Sequence, residues 1–122
     1  MTRSTVLRKV LFIEDERELR DAYRRYFDAR YEMAFAASGA EALPQLESFQ
    51  PEVIVLDMRL PDTDGIDLLR RIRDRHPGVA VVVTTAYASM EPMIEVLGLD
   101  HNGYLLKPYS LSELAERIDA AS

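Results

Sequence analysis

The 122-residue chain contains no cysteine. That excludes a disulfide framework, a thiolate zinc site and a cysteine nucleophile. Long apolar runs are also missing: the longest, residues 79–83, is far too short to cross a bilayer, and residues 1–5 lack the apolar stretch of a secretory leader. A cytoplasmic protein with no membrane attachment is therefore expected. Positive charge is in deficit as well. With Lys+Arg 15 against Asp+Glu 21 the net charge is −6, a balance that repels phosphate backbones, so no direct nucleic-acid binding by this domain is expected. Internal repeats, low-complexity tracts and interdomain linkers are absent too. At roughly 100–200 residues per domain, one domain over residues 1–122 is expected. Its composition, 48% hydrophobic and 30% charged, is that of a chain that folds around a core.

What the sequence does contain is a regular alternation of short apolar runs with segments whose apolar residues recur at helical spacing. This is the pattern of a βαβ protein built on a parallel sheet. Val10-Leu11-Phe12-Ile13 is apolar without interruption, as a strand covered on both faces requires. Leu19, Ala22, Tyr23, Tyr26 and Phe27 then recur at the spacing of one helical face. A strand over Tyr31–Ala36 leads to Ser38 as N-cap of a helix through Leu43 and Leu46, which Pro44 is expected to kink. Residues 53–56 form the next strand, followed by the turn Pro61-Asp62-Thr63-Asp64-Gly65 and a helix carrying Ile66, Leu69 and Ile72. His76-Pro77-Gly78 stops that helix. After the strand at residues 79–83, a helix capped by Ser89 places Met90, Met93, Ile94 and Leu97 on its buried face, with Pro92 in the first turn. Residues 104–106 make the last strand. Ser110-Leu111-Ser112-Glu113 is a capping-box pattern opening a helix on Leu111, Leu114, Ala115 and Ile118. Arg70, Arg71, Arg73 and Arg75 read as a solvated helix face. Five strands and five helices in strict alternation predict an α/β, doubly wound parallel sheet.

The chemically versatile residues stand at the C-terminal ends of the strands: Glu14 and Asp15, Asp57, Thr85 and Lys107. In a parallel sheet these share one edge, where open α/β folds place their sites. Three carboxylates held together repel one another unless a hard divalent cation neutralises them, and oxygen-only ligands favour Mg²⁺. A carboxylate beside a metal, an ammonium and a hydroxyl meets the needs of phosphoryl transfer. Asp15 has a second expected role as N-cap of the first helix. No organic cofactor is expected.

These residues, with Val53-Ile54-Val55-Leu56-Asp57-Met58-Arg59-Leu60-Pro61, Gly65, Thr85-Ala86 and Tyr104-Leu105-Leu106-Lys107-Pro108, resemble the receiver domain of two-component response regulators over essentially the whole chain. The resemblance implies a flavodoxin-like (βα)5 three-layer sandwich with strand order 2-1-3-4-5. It implies that Asp57 is the phosphoacceptor, that Glu14, Asp15, Asp57 and the Arg59 carbonyl hold Mg²⁺, and that Thr85 and Lys107 contact the phosphoryl group. Tyr104 is then the switch aromatic paired with Thr85, and Lys107-Pro108 a cis peptide. Arg59 and Tyr87 flank the path of the hydrolytic water. The implied partners are a histidine kinase or histidine phosphotransfer protein and an output domain or target protein. The chain is then not an enzyme in the ordinary sense, although it catalyses its own phosphorylation and slow dephosphorylation.

Two departures from the pattern stand out. Many receivers carry Gly-Ala shortly before the fifth strand, where this chain has Asp100-His101 and its glycine is displaced to Gly98, so the turn there is expected to differ. Asn102 and Gly103 replace acidic residues that pair with a helix-five arginine in many relatives, while Arg117 remains. A phosphorylation-dependent dimer stays open but is less favoured. An aspartyl phosphohydrolase would want a second carboxylate two residues after Asp57, where Arg59 stands. A phosphorylation-independent interaction module of the same fold is the alternative.

Overall fold

The computed structural model describes residues 7–121, so the expectation about residues 1–5 lies outside the described residues. Ten elements alternate: β1 (Arg8–Ile13), α1 (Arg17–Phe27), β2 (Tyr31–Ala36), α2 (Gly39–Phe49), β3 (Val53–Asp57), α3 (Gly65–Arg75), β4 (Ala80–Thr85), α4 (Met90–Val96), β5 (Gly103–Leu106) and α5 (Leu111–Ala120). All pairings are parallel, in the order β2-β1-β3-β4-β5. Side chains alternate between the faces of a strand. Val10 and Phe12 of β1, Val53 and Val55 of β3, and Ala80 and Val82 of β4 therefore share one face, packed by Tyr23 and Phe27 of α1 and Leu114, Ala115 and Ile118 of α5. Leu11, Ile13, Ile54, Leu56, Val81 and Val83 share the other, under Ala42 and Leu46 of α2, Leu68, Leu69 and Ile72 of α3 and Ile94 of α4. Each large aliphatic side chain fully buried in this way stabilises the fold by about 1.5–3 kcal/mol. This three-layer arrangement explains the uninterrupted apolar runs of β1, β3 and β4.

Strand ends reach slightly further than the apolar runs. Asp57 is the last residue of β3, and Thr84 and Thr85 end β4 while Val79 lies before it. Hydrogen bonding to the neighbouring strands carries the ladder past the last apolar side chain. α2 runs through Pro44 uninterrupted, with the proline ring in solvent, and closes on Gln50 in the left-handed region (φ 53°). Ser38 caps it as expected, accepting from the Glu41 N–H, and the capping box of Ser110 and Glu113 is formed at α5.

Four expectations are corrected. Glu16, not Asp15, occupies the N-cap of α1, and its side chain makes no capping bond. The backbone N–H of Glu16 donates instead to Glu14 Oε2 (3.1 Å). Tyr26 is 45% exposed, because Tyr23, Phe27 and Phe35 already pack against Phe12 and Tyr26 meets only the edge of Phe27. Met93 and Leu97 are also exposed (49% and 46%), so the α4 face is narrower than its spacing suggests. The cause is Gly98, whose left-handed backbone (φ 71°) ends α4 after seven residues. The Gly98 and Leu99 N–H groups close on the Glu95 and Ile94 carbonyls, a Schellman turn that directs Leu99 rather than Leu97 to the core. Finally, Arg73 is not part of a solvated face. Its guanidinium donates to the carbonyls of Asp100 (3.0 Å) and Val79 and to Asn102 Oδ1 (3.0 Å), fastening α3 to the β4–β5 edge.

Candidate functional site

The strand order sets β3 between β1 and β4, with β5 beyond, so the chain's scattered polar residues meet at one edge. Backbone bonds just past the strand ends fix them: the Glu14 N–H donates to the Ala36 carbonyl (2.9 Å), Met58 to Thr84 (3.1 Å) and Lys107 to Thr85 (2.7 Å). Glu14, Asp57 and Thr85 are buried, Asp15 is exposed, and Lys107 is half-buried above them. Lys107 Nζ lies 3.3 Å from Asp57 Oδ2 and 3.6 Å from Glu14 Oε1. Carboxylate oxygens of Glu14, Asp15 and Asp57 fall within 4.8 Å of one another. Arg59 follows directly, its N–H donating to Asp57 Oδ1 (3.2 Å), and bridges across the turn to Asp64. The turn closes tightly because Gly65 lies against Met58; a Cβ there would sit 2.5 Å from the Met58 Cα. The residues surround an open cleft of about 850 Å³ that Tyr87, Met90 and Met93 extend toward α4.

Electrostatics in the cleft are strained in one sense only, toward too much negative charge. Burial, reinforced by the charge of Asp57, pushes the Glu14 carboxyl up to about 8. Burial would lower the Lys107 ammonium, but the carboxylates of Glu14 and Asp57 outweigh it and hold its pKa above the ordinary value. One ammonium facing three carboxylates leaves a deficit of positive charge.

Residues 10–119 match the family model described as the response regulator receiver domain. The chain belongs to that family. The response regulator MprA of Mycobacterium avium is 32% identical over 113 residues, which cover 92% of this chain and 50% of MprA. MprA of Mycobacterium tuberculosis is likewise 32% identical, with 49% of its length covered. This receiver thus spans about half the length of these curated relatives. Among solved structures, a CheY-like receiver domain protein from Methanospirillum hungatei superposes with a TM-score of 0.85 at 28% identity, covering 93% of this chain and 92% of that one. The receiver domain of Francisella response regulator 1452 gives 0.82 at 32% identity, with 92% and 93% covered. Receiver domains are signalling domains of two-component systems rather than classical enzymes, switched by phosphorylation from histidine kinases.

Receivers bind Mg²⁺ at this acidic pocket, and the residues here fit such an ion. The donors are oxygens, and Glu14 Oε1 is buried with no hydrogen-bond partner, which a hard cation beside it would satisfy. At the far side of the cleft Thr85 Oγ1 accepts from the Tyr87 N–H (3.1 Å), and the Tyr104 hydroxyl donates to the Tyr87 carbonyl (2.7 Å). Thr85 and Tyr104 are thus joined through one residue of the β4–α4 loop. The Lys107-Pro108 peptide is cis. Asn102 Oδ1 accepts from the Val81 N–H (2.8 Å), and Arg117 packs its stem over Gly103.

Several supports of the site were not read from the sequence. Arg20 donates to the carbonyls of Glu14 and Asp15 (2.9 Å each), holding the acidic loop in place. Its position one turn into α1 was the available signal, hidden among other arginines. Asp62 accepts from the N–H groups of Gly39 (2.8 Å) and Ala40 (2.9 Å), tying the loop after β3 to the start of α2. Nothing local to Asp62 points to a helix 23 residues earlier. Tyr23 and Tyr109 join their hydroxyls (2.5 Å) behind the cleft.

Proposed function

We propose that this receiver takes a phosphoryl group on Asp57 from a histidine kinase or histidine phosphotransfer protein in the cytoplasm. The observation that carries the reading is the placement of Asp57 at the floor of the cleft, with Lys107 Nζ 3.3 Å from one oxygen and two further carboxylates beside it. An Asp57 oxygen attacks phosphorus, the phosphorus–nitrogen bond to the donor imidazole breaks, and an acyl phosphate forms. Glu14, Asp15, Asp57 and the Arg59 carbonyl would hold Mg²⁺, which would supply positive charge to the transferring oxygens. Lys107 pairs with them from the β5 side, and the Thr85 hydroxyl turns from the Tyr87 N–H to donate to one of them.

That turn gives the switch. Drawing Thr85 toward the phosphoryl group shifts the loop to which Tyr104 is bonded, and the Tyr104 ring moves inward. The surface that changes is α4, β5 and α5, where Met93, Val96, Leu97 and Leu106 already stand exposed (49%, 86%, 46% and 43%). An output domain or target protein reads this apolar face.

Incubation with a small phosphodonor tests the reading. Intact mass is expected to gain one phosphoryl group in the presence of Mg²⁺, but not with a chelator and not in Asp57→Asn. Thr85→Ala is expected to gain it while leaving the Tyr104 ring resonances unmoved. Equal labelling of Asp57→Asn contradicts the site assignment. An unlabelled wild type favours the interaction module that works without phosphorylation.

A further inference from the structure

The departure at Asp100-His101 leads to a second cluster of ligating side chains, remote from the acidic cleft. Oxygens of Glu91 and Glu95 and a ring nitrogen of His101 all lie within 4.8 Å of one another. The two glutamates stand four apart on α4, so they share a face. His101 reaches them from the loop before β5, where its side chain is only 16% exposed and its ring lies 6.0 Å from that of Tyr104.

The hydrogen bond of His101 decides what its other nitrogen offers. Nδ1 sits 3.1 Å from the Gly103 carbonyl. A carbonyl only accepts, so Nδ1 carries a proton and donates it. Nε2 is thereby turned toward Glu91 Oε2, 3.3 Å away. In a neutral ring with its proton on Nδ1, Nε2 presents a lone pair to a carboxylate, an arrangement that repels unless something positive lies between. A proton or a metal ion meets that need. Orientation of a histidine by an Nδ1–H bond to a backbone carbonyl is also the outer support that metal-ligating histidines use. Among the described residues, neither Glu91 nor Glu95 forms an ion pair with a lysine or arginine, so the negative charge is left for a cation to neutralise.

We propose that Glu91, Glu95 and His101 form a second cation site that takes a borderline divalent ion of the Zn²⁺ class between α4 and the start of β5. One imidazole nitrogen with two carboxylates suits zinc, which accepts mixed nitrogen and oxygen ligands, whereas Mg²⁺ prefers oxygen alone. The difference in donors separates this site from the acidic cleft. It also ties α4 to the segment that begins β5.

Zn²⁺ titration of the full chain in excess Mg²⁺, followed by calorimetry and by the histidine ring ¹⁵N resonances, tests the proposal. One Zn²⁺ per chain is expected, with a shift of the His101 Nε2 resonance. His101→Ala and Glu95→Gln are each expected to weaken binding by about tenfold or more. His76→Ala, which removes the other histidine and its 3.3 Å contact with Glu47, is expected to leave it unchanged. Glu95 is exposed, so Glu95→Gln keeps the test valid should His101→Ala fold poorly. Unchanged affinity in Glu95→Gln, or Zn²⁺ binding with no shift at His101, overturns the proposal and leaves the contact as a protonated ion pair.

Discussion

Glu14 carries the largest electrostatic cost in the cleft, and the sign of its effect on stability can be worked out. Burial and the neighbouring Asp57 raise its carboxyl from 4.5 to about 8. A group raised in the folded state contributes full stability below its unfolded value and loses that contribution as pH rises through the folded value. Urea unfolding of the metal-free protein is therefore expected to show stability falling between pH 4.5 and about 8. Asp57→Asn is expected to flatten that fall and to raise metal-free stability at its upper end. A wild-type profile that is level over the range contradicts the assignment of cause. Arg59 and Tyr87 bear on a further part of the proposed function, the lifetime of the phosphoryl group. Both line the cleft, Tyr87 with 53% of its surface exposed, and neither offers a carboxylate or amide to orient water. Hydrolysis needs water in line with the phosphorus–oxygen bond, so clearing this path with Arg59→Asn and Tyr87→Ala is expected to speed acyl-phosphate decay by about tenfold. Equal or slower decay shows that the two side chains do not shield the group.

At the scale of elements, the end of α3 separates real fastening from solvated charge. Arg73 bonds three groups on the β4–β5 edge, while Arg71, among the described residues, pairs with Asp67 on its own helix (3.1 Å). Arg73→Ala is expected to cost about 1–3 kcal/mol in urea unfolding, because a charged donor to several carbonyl oxygens, that of Val79 partly buried, is lost, whereas Arg71→Ala stays within about 0.5 kcal/mol. Equal effects of the two contradict the distinction. The sequence could not show it, since both arginines have the same local spacing and the partners of Arg73 lie in the loops around β4 and β5. What was legible followed from local rules: β1, β3 and β4 from uninterrupted apolar runs, α5 from its capping box, and α1 from the 3.6-residue period. The face of α4 was misjudged because the period persists through Leu97 while the left-handed Gly98 ends the helix beneath it. The residues of the cleft were legible because parallel strands deliver their C-terminal ends to one edge. Its supports, Arg20, Asp62 and the Tyr23–Tyr109 pair, depend on contacts between distant segments that no local pattern encodes.

For the whole molecule, the fold works as a rigid frame with one adaptable flank. β1, β3 and β4 are buried on both faces and hold Glu14, Asp57 and Thr85 in register. α4 buries only Ile94 and is joined to the frame by the Tyr104 hydroxyl, the His101 contacts and the Schellman turn. A charge change at the frame's edge therefore has a weakly packed element to move, which is the physical content of a switch. The proposed function depends on the phosphoryl group residing on Asp57. Borohydride reduction converts an aspartyl phosphate to homoserine, so peptide mass spectrometry after phosphodonor treatment reads the position directly. Homoserine at position 57 alone is expected; homoserine at Asp15, Asp62 or Asp64, or at none of them despite a phosphoryl group in the intact mass, contradicts Asp57 as the acceptor.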